Sequence, residues 1–424
     1  MSPPGAFTPR GGFTYGLMGL PLAFVALPLY VILPNHYAKA FGVPLATLGA
    51  ILLGARLFDA VIDPLLGRLS DRLFADSARA VLRLGALAAV VLAIGFALLF
   101  FPLVSSPSAL VAWATVVLVV TYAAYSALSV SHQSWGAMLG GDETQRSRTV
   151  AWREGLGLVG VVLASIAPVA LGLPATAALF CIALLIGWLA WTRAPRPVAQ
   201  PRAGGHAAPG QLWLPLQQRA FRRLLAVFLL NGIASAVPAT LVLFFIQDRL
   251  QAPQSMEPLF LGAYFVSAAL SIPLWLAVVK RLGLARSWLA GMLLAIAVFG
   301  WATQLGAGDT TAFLLVCALS GVALGTDLAL PGAMLAGVIQ KAGQSGQAEG
   351  AYFGWWNFAT KLNLALAAGL ALPLLSLFGY SPGARDTQGL NALVIAYCVL
   401  PCVLKLAAAA CLYGFIIRQE STTP

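Results

Sequence analysis

Three ionisable residues interrupt an otherwise apolar stretch near the beginning of the chain. Arg56, Asp59 and Asp63 follow one another at spacings of three and four residues, which places them on one face of a helix. An ionisable side chain at bilayer depth costs several kcal/mol unless it is paired or hydrated. Two carboxylates this close also repel each other, so at neutral pH they hold a proton or bind a cation. The spacing therefore predicts a cation-binding site at Asp59 and Asp63.

The available ligand atoms indicate which ion this site binds. Carboxylate and hydroxyl oxygens suit a hard ion such as Na⁺ better than a soft metal, so the sequence predicts Na⁺ or H⁺, no other metal and no cofactor. In the alternative interpretation, Arg56 or Lys361 neutralises the aspartates in a static salt-bridge network. A buried ion pair is a poor source of stability, which favours the cation-binding interpretation.

Other polar residues in apolar surroundings are candidates for the wall of a substrate cavity. Asp327 is a second isolated acid; it lines the cavity, pairs with Lys361, or is a hydrated acid at a helix end. The further candidates are Arg153, Ser131, His132, Trp135, Trp356 and Asn357. Packing is the alternative role for the histidine and the tryptophans, and a local charge cluster with Glu154 is the alternative for Arg153.

The composition identifies the elements that must position these residues. The chain has 424 residues, of which 60% are hydrophobic and only 9% charged, as is typical of a polytopic membrane protein. Apolar runs long enough to span a bilayer recur at 14–38, 44–69, 80–102, 108–139, 148–172 and 174–192, and again at 221–247, 258–280, 286–306, 310–340, 350–378 and 389–417. The sequence predicts an all-α integral membrane protein with twelve transmembrane helices.

The positions of Lys and Arg predict the orientation of these helices. Most of them lie in alternate breaks between the apolar runs, and the opposite breaks contain only Lys39, Arg249 and Arg385. The positive-inside bias then places both termini and the central break in the cytoplasm, as expected for a multi-pass protein of the cell's inner membrane. The net charge of +11 is therefore topological, and anionic membrane lipid is the expected partner at that surface.

The predicted helices fall into two groups of six. The intervening segment 193–218 is rich in Pro, Gly and Arg and lacks an apolar period, which predicts a cytoplasmic linker between bundles at 1–192 and 219–424. The sequence contains no nucleophile–base pair, zinc-binding helix or nucleotide-binding loop, so an enzyme is not expected. It also shows no basic–aromatic pattern for nucleic acid and no sign of an obligatory protein partner.

Two motifs carry a resemblance to a known family, one on the second predicted helix and one between the second and third predicted helices. The segment Gly67-Arg68-Leu69-Ser70-Asp71-Arg72 resembles the loop signature of the major facilitator superfamily. The run Arg56-x-x-Asp59-Ala-x-x-Asp63-Pro64-x-x-Gly67 resembles the second helix of the glycoside-pentoside-hexuronide:cation symporters, the branch typified by the melibiose carrier. Supporting matches lie at Tyr15-Gly16, Ala151-Trp152-Arg153, Lys361 and Gly379-Tyr380-Ser381-Pro382.

The resemblance implies a fold of two six-helix bundles and a role for each matching residue. Asp59 and Asp63 match the coupling-cation carboxylates, and Lys361 matches a lysine near that site. Arg153 matches an arginine on the substrate side, and Gly67, Asp71 and Arg72 match a cytoplasmic gating loop. Two positions depart from the pattern, because Ala23 and Ser131 stand where the family carries its sugar-binding acids.

The implied function is cation-coupled symport of a small organic solute by alternating access, with a sugar or glycoside as the cargo. Loss of both sugar-binding acids leaves a second cargo class open, an amphiphile such as a lysolipid or fatty-acid derivative. The almost wholly apolar stretch from Leu17 to Leu33 in the first helix favours that alternative. A non-transporting membrane sensor on the same fold is the third hypothesis.

Overall fold

The computed structural model describes residues 8–197, 212–380, 383 and 385–420, and this part of the chain is helical, without a strand. We number its membrane helices α1 to α12. The first, α1, is a succession of short pieces, Pro9–Gly16, Gly19–Phe24, Pro28–Ile32 and Leu33–Phe41. Pro21, Pro28 and Pro34 lack the backbone N–H that a continuous helix requires, which accounts for the interruptions.

The other helices of the first half are longer. They are α2 (Leu45–Asp76), α3 (Ala78–Phe100), α4 (Pro107–Met138), α5 (143–171) and α6 (173–192). Gly172 has φ 79°, a backbone conformation open to glycine, and the chain turns there between α5 and α6.

The second half repeats this pattern. Its helices are α7 (Arg219–Arg249, its last turn π-helical), α8 (257–282), α9 (284–302), α10 (Thr310–Lys341), α11 (Glu349–Leu377) and α12 (Thr387–Ile417). Gly283, also with φ 79°, separates α8 from α9 as Gly172 separates α5 from α6.

Length and composition identify membrane-spanning helices within the described residues. Eight helices are long and apolar enough to cross a bilayer, and one of them, Gln254–Ala302, covers the two predicted spans that meet at Gly283. The remaining predicted spans coincide with the pieces of α1, with α2 and with α11. The prediction of a multi-helix membrane protein is confirmed.

The chain divides into two compact units. The first unit comprises Met1–Pro215 and Ala336–Phe358, and the second comprises Leu216–Leu335 and Ala359–Pro424. Residues 336–358, which the sequence assigns to the second bundle, are thus grouped with the first. Of the predicted linker 193–218, residues 198–211 lie outside the described part of the chain.

Each unit has its own apolar core with an aromatic centre. In the first unit, the ring of Phe180 packs between Phe24 and Phe96, with centroid distances of 5.7 and 4.5 Å. In the second unit, Phe245 stacks on Tyr397 at 4.3 Å and packs against Phe313 at 5.5 Å. These cores hold the helices that carry the polar residues described below.

Candidate functional site

The predicted cation cluster lies on α2 in the first unit. Asp59 exposes 1% of its surface and Asp63 exposes none. The Ser126 hydroxyl on α4 donates a hydrogen bond of 2.6 Å to Asp59 Oδ1. Arg56, one turn before Asp59, is half-buried. Two acids and a hydroxyl from two helices therefore concentrate oxygen ligands in a buried part of the unit.

Pro64 adds a further oxygen to this region. It lies inside α2 and has no N–H, so the carbonyl oxygen of Ala60 lacks its usual helical donor. Gly354 of α11 packs against the same turn, because a Cβ at Gly354 would lie 2.6 Å from the carbonyl oxygen of Asp63. The backbone of the cation cluster is thereby held against a second helix of the same unit.

The residues predicted as a gating loop are helical. Gly67, Asp71 and Arg72 belong to the last turns of α2, which continues to Asp76. No proline follows Pro64 in this segment, and the helix stops only where Ser77 becomes the N-cap of α3, its Oγ accepting from Ala80 N. The expectation of a loop at these residues is therefore corrected.

Asp71 caps the beginning of α11. Its two carboxylate oxygens accept hydrogen bonds from Gly350 N at 2.6 Å and Ala351 N at 2.8 Å, which satisfies two N–H groups that a helix start leaves open. Gly67 makes the approach possible, since a Cβ there would clash with the Gly350 carbonyl oxygen. Arg72 is exposed and has no ion-pair or hydrogen-bond partner among the described residues.

Glu349 is buried beside this cap, just before the predicted span 350–378. One of its oxygens accepts from Gly346 N at 2.7 Å, and 1% of the residue is exposed. Burial raises the pKa of Glu349 to about 7, and the backbone hydrogen bonds only partly oppose that effect. Burial, followed by the nearby charge of Glu349, also raises the pKa of Asp71. Burial therefore favours the protonated form of both acids at this end of α11.

The predicted cavity residues on α4 have packing partners. The His132 ring stacks on Tyr15 at 4.4 Å, and its Nε2 donates to the Tyr15 carbonyl oxygen at 2.9 Å. Trp135 Nε1 donates to the Pro195 carbonyl oxygen at 2.9 Å. Ser131 is buried, and its hydroxyl has no hydrogen-bond partner in the described part of the chain. The surroundings of His132 and Trp135 favour packing over a cavity wall.

The remaining candidates lie on α5 and α11. Arg153 forms an ion pair with the adjacent Glu154, the local charge cluster anticipated for it, and 19% of its side chain is exposed. On α11, Trp356 is buried, whereas Asn357 and Lys361 are partly buried. Their roles in a cavity stay predictions.

Asp327 lies in a charged network within the second unit. Lys405 of α12 donates to Asp327 Oδ2 at 3.0 Å and to Asn231 Oδ1 at 2.7 Å. Asn231 in turn donates to Asp327 Oδ1 at 3.0 Å, as does Trp288 at 2.8 Å. The position in the middle of α10 is incompatible with a hydrated acid at a helix end.

This network borders a cavity of about 160 Å³ in the second unit. Asp327, Lys405, Ser235 and Ser320 are among its polar lining residues, and Tyr264 and Tyr397 present aromatic rings with hydroxyl groups. The rest of the lining is mostly aliphatic or phenylalanine. The cavity is thus an apolar chamber with polar groups from four helices.

Sequence reasoning missed several of these partners. Ser126, Asn231, Trp288 and Lys405 each contact an acid at membrane depth. Asn231 and Lys405 carried a signal, since each is an isolated strongly polar residue in an apolar helix. Ser126 carried none, because serine satisfies itself within a helix by bonding to its own backbone.

Membrane helices in two units, with buried charged clusters on α2 and α10, define a polytopic membrane protein with ionisable groups at bilayer depth. A sequence profile of the family described as MFS/sugar transport protein matches residues 11–419. Because the match covers nearly the whole chain, the protein belongs to this family of the major facilitator superfamily and is a transporter of that fold. No curated protein sequence matches the chain.

Solved structures share the fold at low sequence identity. A bacterial homologue of the iron transporter ferroportin, in an outward-facing state, has a TM-score of 0.69 and 17% identity, covering 96% of this chain and 98% of its own. The fucose:proton symporter of E. coli has a TM-score of 0.67 and 14% identity, with coverages of 94% and 98%. A human organic anion transporter has a TM-score of 0.64 and 18% identity, covering 96% of this chain and 100% of its own. These similarities concern the fold alone.

Proposed function

We propose that the protein is a cation-coupled symporter that moves a small organic solute across the cell's inner membrane by alternating access. The burial of Asp59 and Asp63 on one turn of α2 is the observation that carries this proposal. Two charged carboxylates at that depth are costly, and a bound Na⁺ or proton removes their mutual repulsion. Ser126 and the free carbonyl of Ala60 add the neutral oxygens that Na⁺ prefers.

Coupling follows if the filled cation site favours the arrangement of helices that binds cargo. A ligand shifts a conformational equilibrium only through its different affinity for the two states. The resemblance to the melibiose carrier branch supports Lys361 as a charge partner of the aspartates and Arg153 as a substrate-side residue. When the cation site is empty, the cargo-binding state is then disfavoured. The flux of the cation and the flux of the cargo are linked in this way.

The cargo class is proposed from the family and from the fold relatives. The family description names sugar transport, and one relative of similar fold is a fucose:proton symporter. Ala23 and Ser131 lack the carboxylates that the resemblance predicts for sugar binding. A less polar solute is therefore the second candidate, and the mostly apolar cavity of the second unit favours it.

Cation titration of the purified protein tests the coupling site without knowledge of the cargo. Intrinsic tryptophan fluorescence and thermal stability are measured against Na⁺, Li⁺ and K⁺ for the wild type, Asp59→Asn and Asp63→Asn. We expect a saturable Na⁺ response that both variants lose, or a pH response that both lose if the ion is a proton. Asp76→Asn, which changes an exposed acid on the same helix, is the matched control and keeps the response.

A protein that responds to neither Na⁺ nor pH would contradict cation coupling and would support the static salt-bridge network instead. Flux into proteoliposomes then separates the cargo classes: competition by glycosides supports a sugar, and competition by single-chain lipids supports an amphiphile. Absence of any ion-driven flux, with both classes of solute present on either side, favours the non-transporting sensor.

A further inference from the structure

The charged groups of the cavity in the second unit lie at one end, away from the phenylalanine ring of Phe260. Asp327 follows Val316 by eleven positions on α10, so these two lining residues lie about 16 Å apart along the helix. Lys405 bonds Asp327 and marks the polar end. Phe260 packs at 5.1 Å against Phe313, one turn before Val316, and marks the apolar end. A bound molecule therefore meets ionic groups at one end and hydrocarbon at the other.

At the polar end, Lys405 has an unused hydrogen-bond donor, whereas the carboxylate oxygens of Asp327 are already occupied. Asp327 accepts four hydrogen bonds, from Asn231, Trp288, Ser235 and Lys405, which fills the four lone-pair sites of a carboxylate. Lys405 has three N–H groups and uses two of them. The third N–H has no partner in the described part of the chain, and Lys405 lines the cavity.

Two tyrosine hydroxyls add hydrogen-bond donors to the cavity, and the ring of Tyr397 lies near Phe313 at the apolar end. Tyr264 and Tyr397 both line the cavity, and neither hydroxyl has a hydrogen-bond partner in the described part of the chain. A hydroxyl left without a partner in an apolar chamber costs free energy, which a ligand acceptor recovers. The cavity is consequently built to donate to the polar group of its ligand.

Charge and size restrict the ligand further. Asp327 and Lys405 are the charged side chains of the cavity lining, and they neutralise each other. An ionised ligand would stay uncompensated at membrane depth, which is costly. The volume of about 160 Å³ resembles the roughly 150 Å³ of an apolar protein cavity that admits benzene. The site selects a small and neutral molecule.

We propose that this cavity binds a small neutral organic molecule with an apolar body and a hydrogen-bond-accepting head, such as a ketone, ester or amide. The head accepts from Lys405 Nζ and the Tyr264 hydroxyl, and the body extends towards the apolar end along Leu324 and Ala323, about one turn from Asp327 on α10. As a statement about cargo class the inference rests on the proposed transport function, whereas binding itself does not require the cation site.

Calorimetric titration of the full-length protein in lipid nanodiscs tests the site with three probes of similar shape. Acetophenone is neutral and carries an acceptor, benzoate is anionic, and ethylbenzene has no acceptor. We expect saturable binding of acetophenone, with benzoate and ethylbenzene about tenfold weaker or more, from the cost of a buried charge and of a lost hydrogen bond. Equal binding of all three, or no binding of acetophenone, overturns the proposal.

Two variants locate the binding. Tyr264→Phe removes one hydroxyl and is expected to weaken acetophenone binding about 3- to 10-fold. The matched control is Tyr413→Phe, an exposed tyrosine of the same unit that does not line the cavity, and it leaves the affinity unchanged. Ala239→Phe places a ring at the cavity wall and abolishes saturable binding while the thermal transition is retained. Wild-type affinity in both Tyr264→Phe and Ala239→Phe would overturn the assignment.

The same titrations keep this inference separate from the coupling mechanism. Asp63→Asn is expected to lose the Na⁺ or pH response and to keep acetophenone binding. Missing acetophenone binding beside an intact cation response overturns the cavity assignment alone. Acetophenone binding in a protein that responds to no cation supports the cavity and overturns the coupling.

Discussion

The hydroxyl of Ser126 shows at the residue scale how a carboxylate is held at membrane depth. It reaches Asp59 from a different helix at 2.6 Å and so links α4 to the cluster, where the sequence had pointed to Ser131 on the same helix. A hydrogen bond to a charged group contributes about 1.5–3 kcal/mol. The position of one hydroxyl therefore affects how tightly the site holds its ion.

The variant Ser126→Ala tests this contribution. We expect the apparent Na⁺ affinity to fall about tenfold, that is by roughly 1.4 kcal/mol, because the variant removes a neutral oxygen ligand from the proposed site. The measurement is the fluorescence titration with Na⁺. Ser134→Ala is the control, since that buried hydroxyl bonds only to the Val130 carbonyl of its own helix. Equal affinities in both variants would contradict a ligand role.

Glu349 gives a second prediction at this scale. Its pKa is raised from 4.5 to about 7, so the folded state holds the proton more tightly than the unfolded chain. The resulting stability is fully present below about pH 4.5 and is lost as the pH rises towards 7. We expect Glu349→Gln, which keeps an acceptor for Gly346 N, to flatten the decline in thermal midpoint between pH 5 and about 8 relative to the wild type. Parallel pH profiles of the two proteins would refute it.

The element scale is dominated by the contact between α2 and the beginning of α11. Neither Gly67 nor Gly350 has room for a side chain, because a Cβ on either residue would collide with the backbone carbonyl oxygen of the other. Asp71 then reaches the first N–H groups of α11, where a negative charge is favoured by the helix dipole. The two glycines thus permit the close approach that lets Asp71 cap the beginning of α11.

A pair of glycine substitutions on α2 tests this packing. Gly67→Ala is expected to destabilise the protein, because its methyl group meets the Gly350 backbone. Gly54→Ala lies on the same helix with nothing within 4 Å of the added Cβ, so it is neutral or stabilises by up to about 1 kcal/mol through helix propensity. Thermal denaturation in one detergent compares the two. A Gly67→Ala variant as stable as Gly54→Ala would disprove the close contact.

At the scale of the whole molecule, the distribution of Lys and Arg sets the orientation in the membrane. The basic breaks alternate with breaks that contain few cations, which predicts cytoplasmic termini. A C-terminal green fluorescent protein fusion should therefore fluoresce, and a C-terminal alkaline phosphatase fusion should be inactive. Fusions at Gln254, between α7 and α8, should show the opposite pattern. The reverse result at both sites would contradict the prediction that the termini are cytoplasmic.

The burial of Asp59 and Asp63 and the membrane fold were predictable because they depend on local sequence. A spacing of three and four residues determines a helical face, and an apolar run determines a span. The loop conformation predicted for the gating segment was wrong for a local reason as well: the charged residues after Leu69 end the apolar run, but they do not end the helix. Polarity and helix length are separate properties of that segment.

The sequence by itself determined the class of protein, the helix pattern and the depth of the aspartates, since these follow from composition and periodicity along one segment. Only the tertiary structure decided the partners: Ser126 for Asp59, and Lys405, Asn231 and Trp288 for Asp327. Those contacts join residues far apart in the chain, and many hydroxyl, amide and ammonium groups can satisfy a buried acid equally well. Helix packing selects among them, and the spacing of residues along one helix contains no information about that choice.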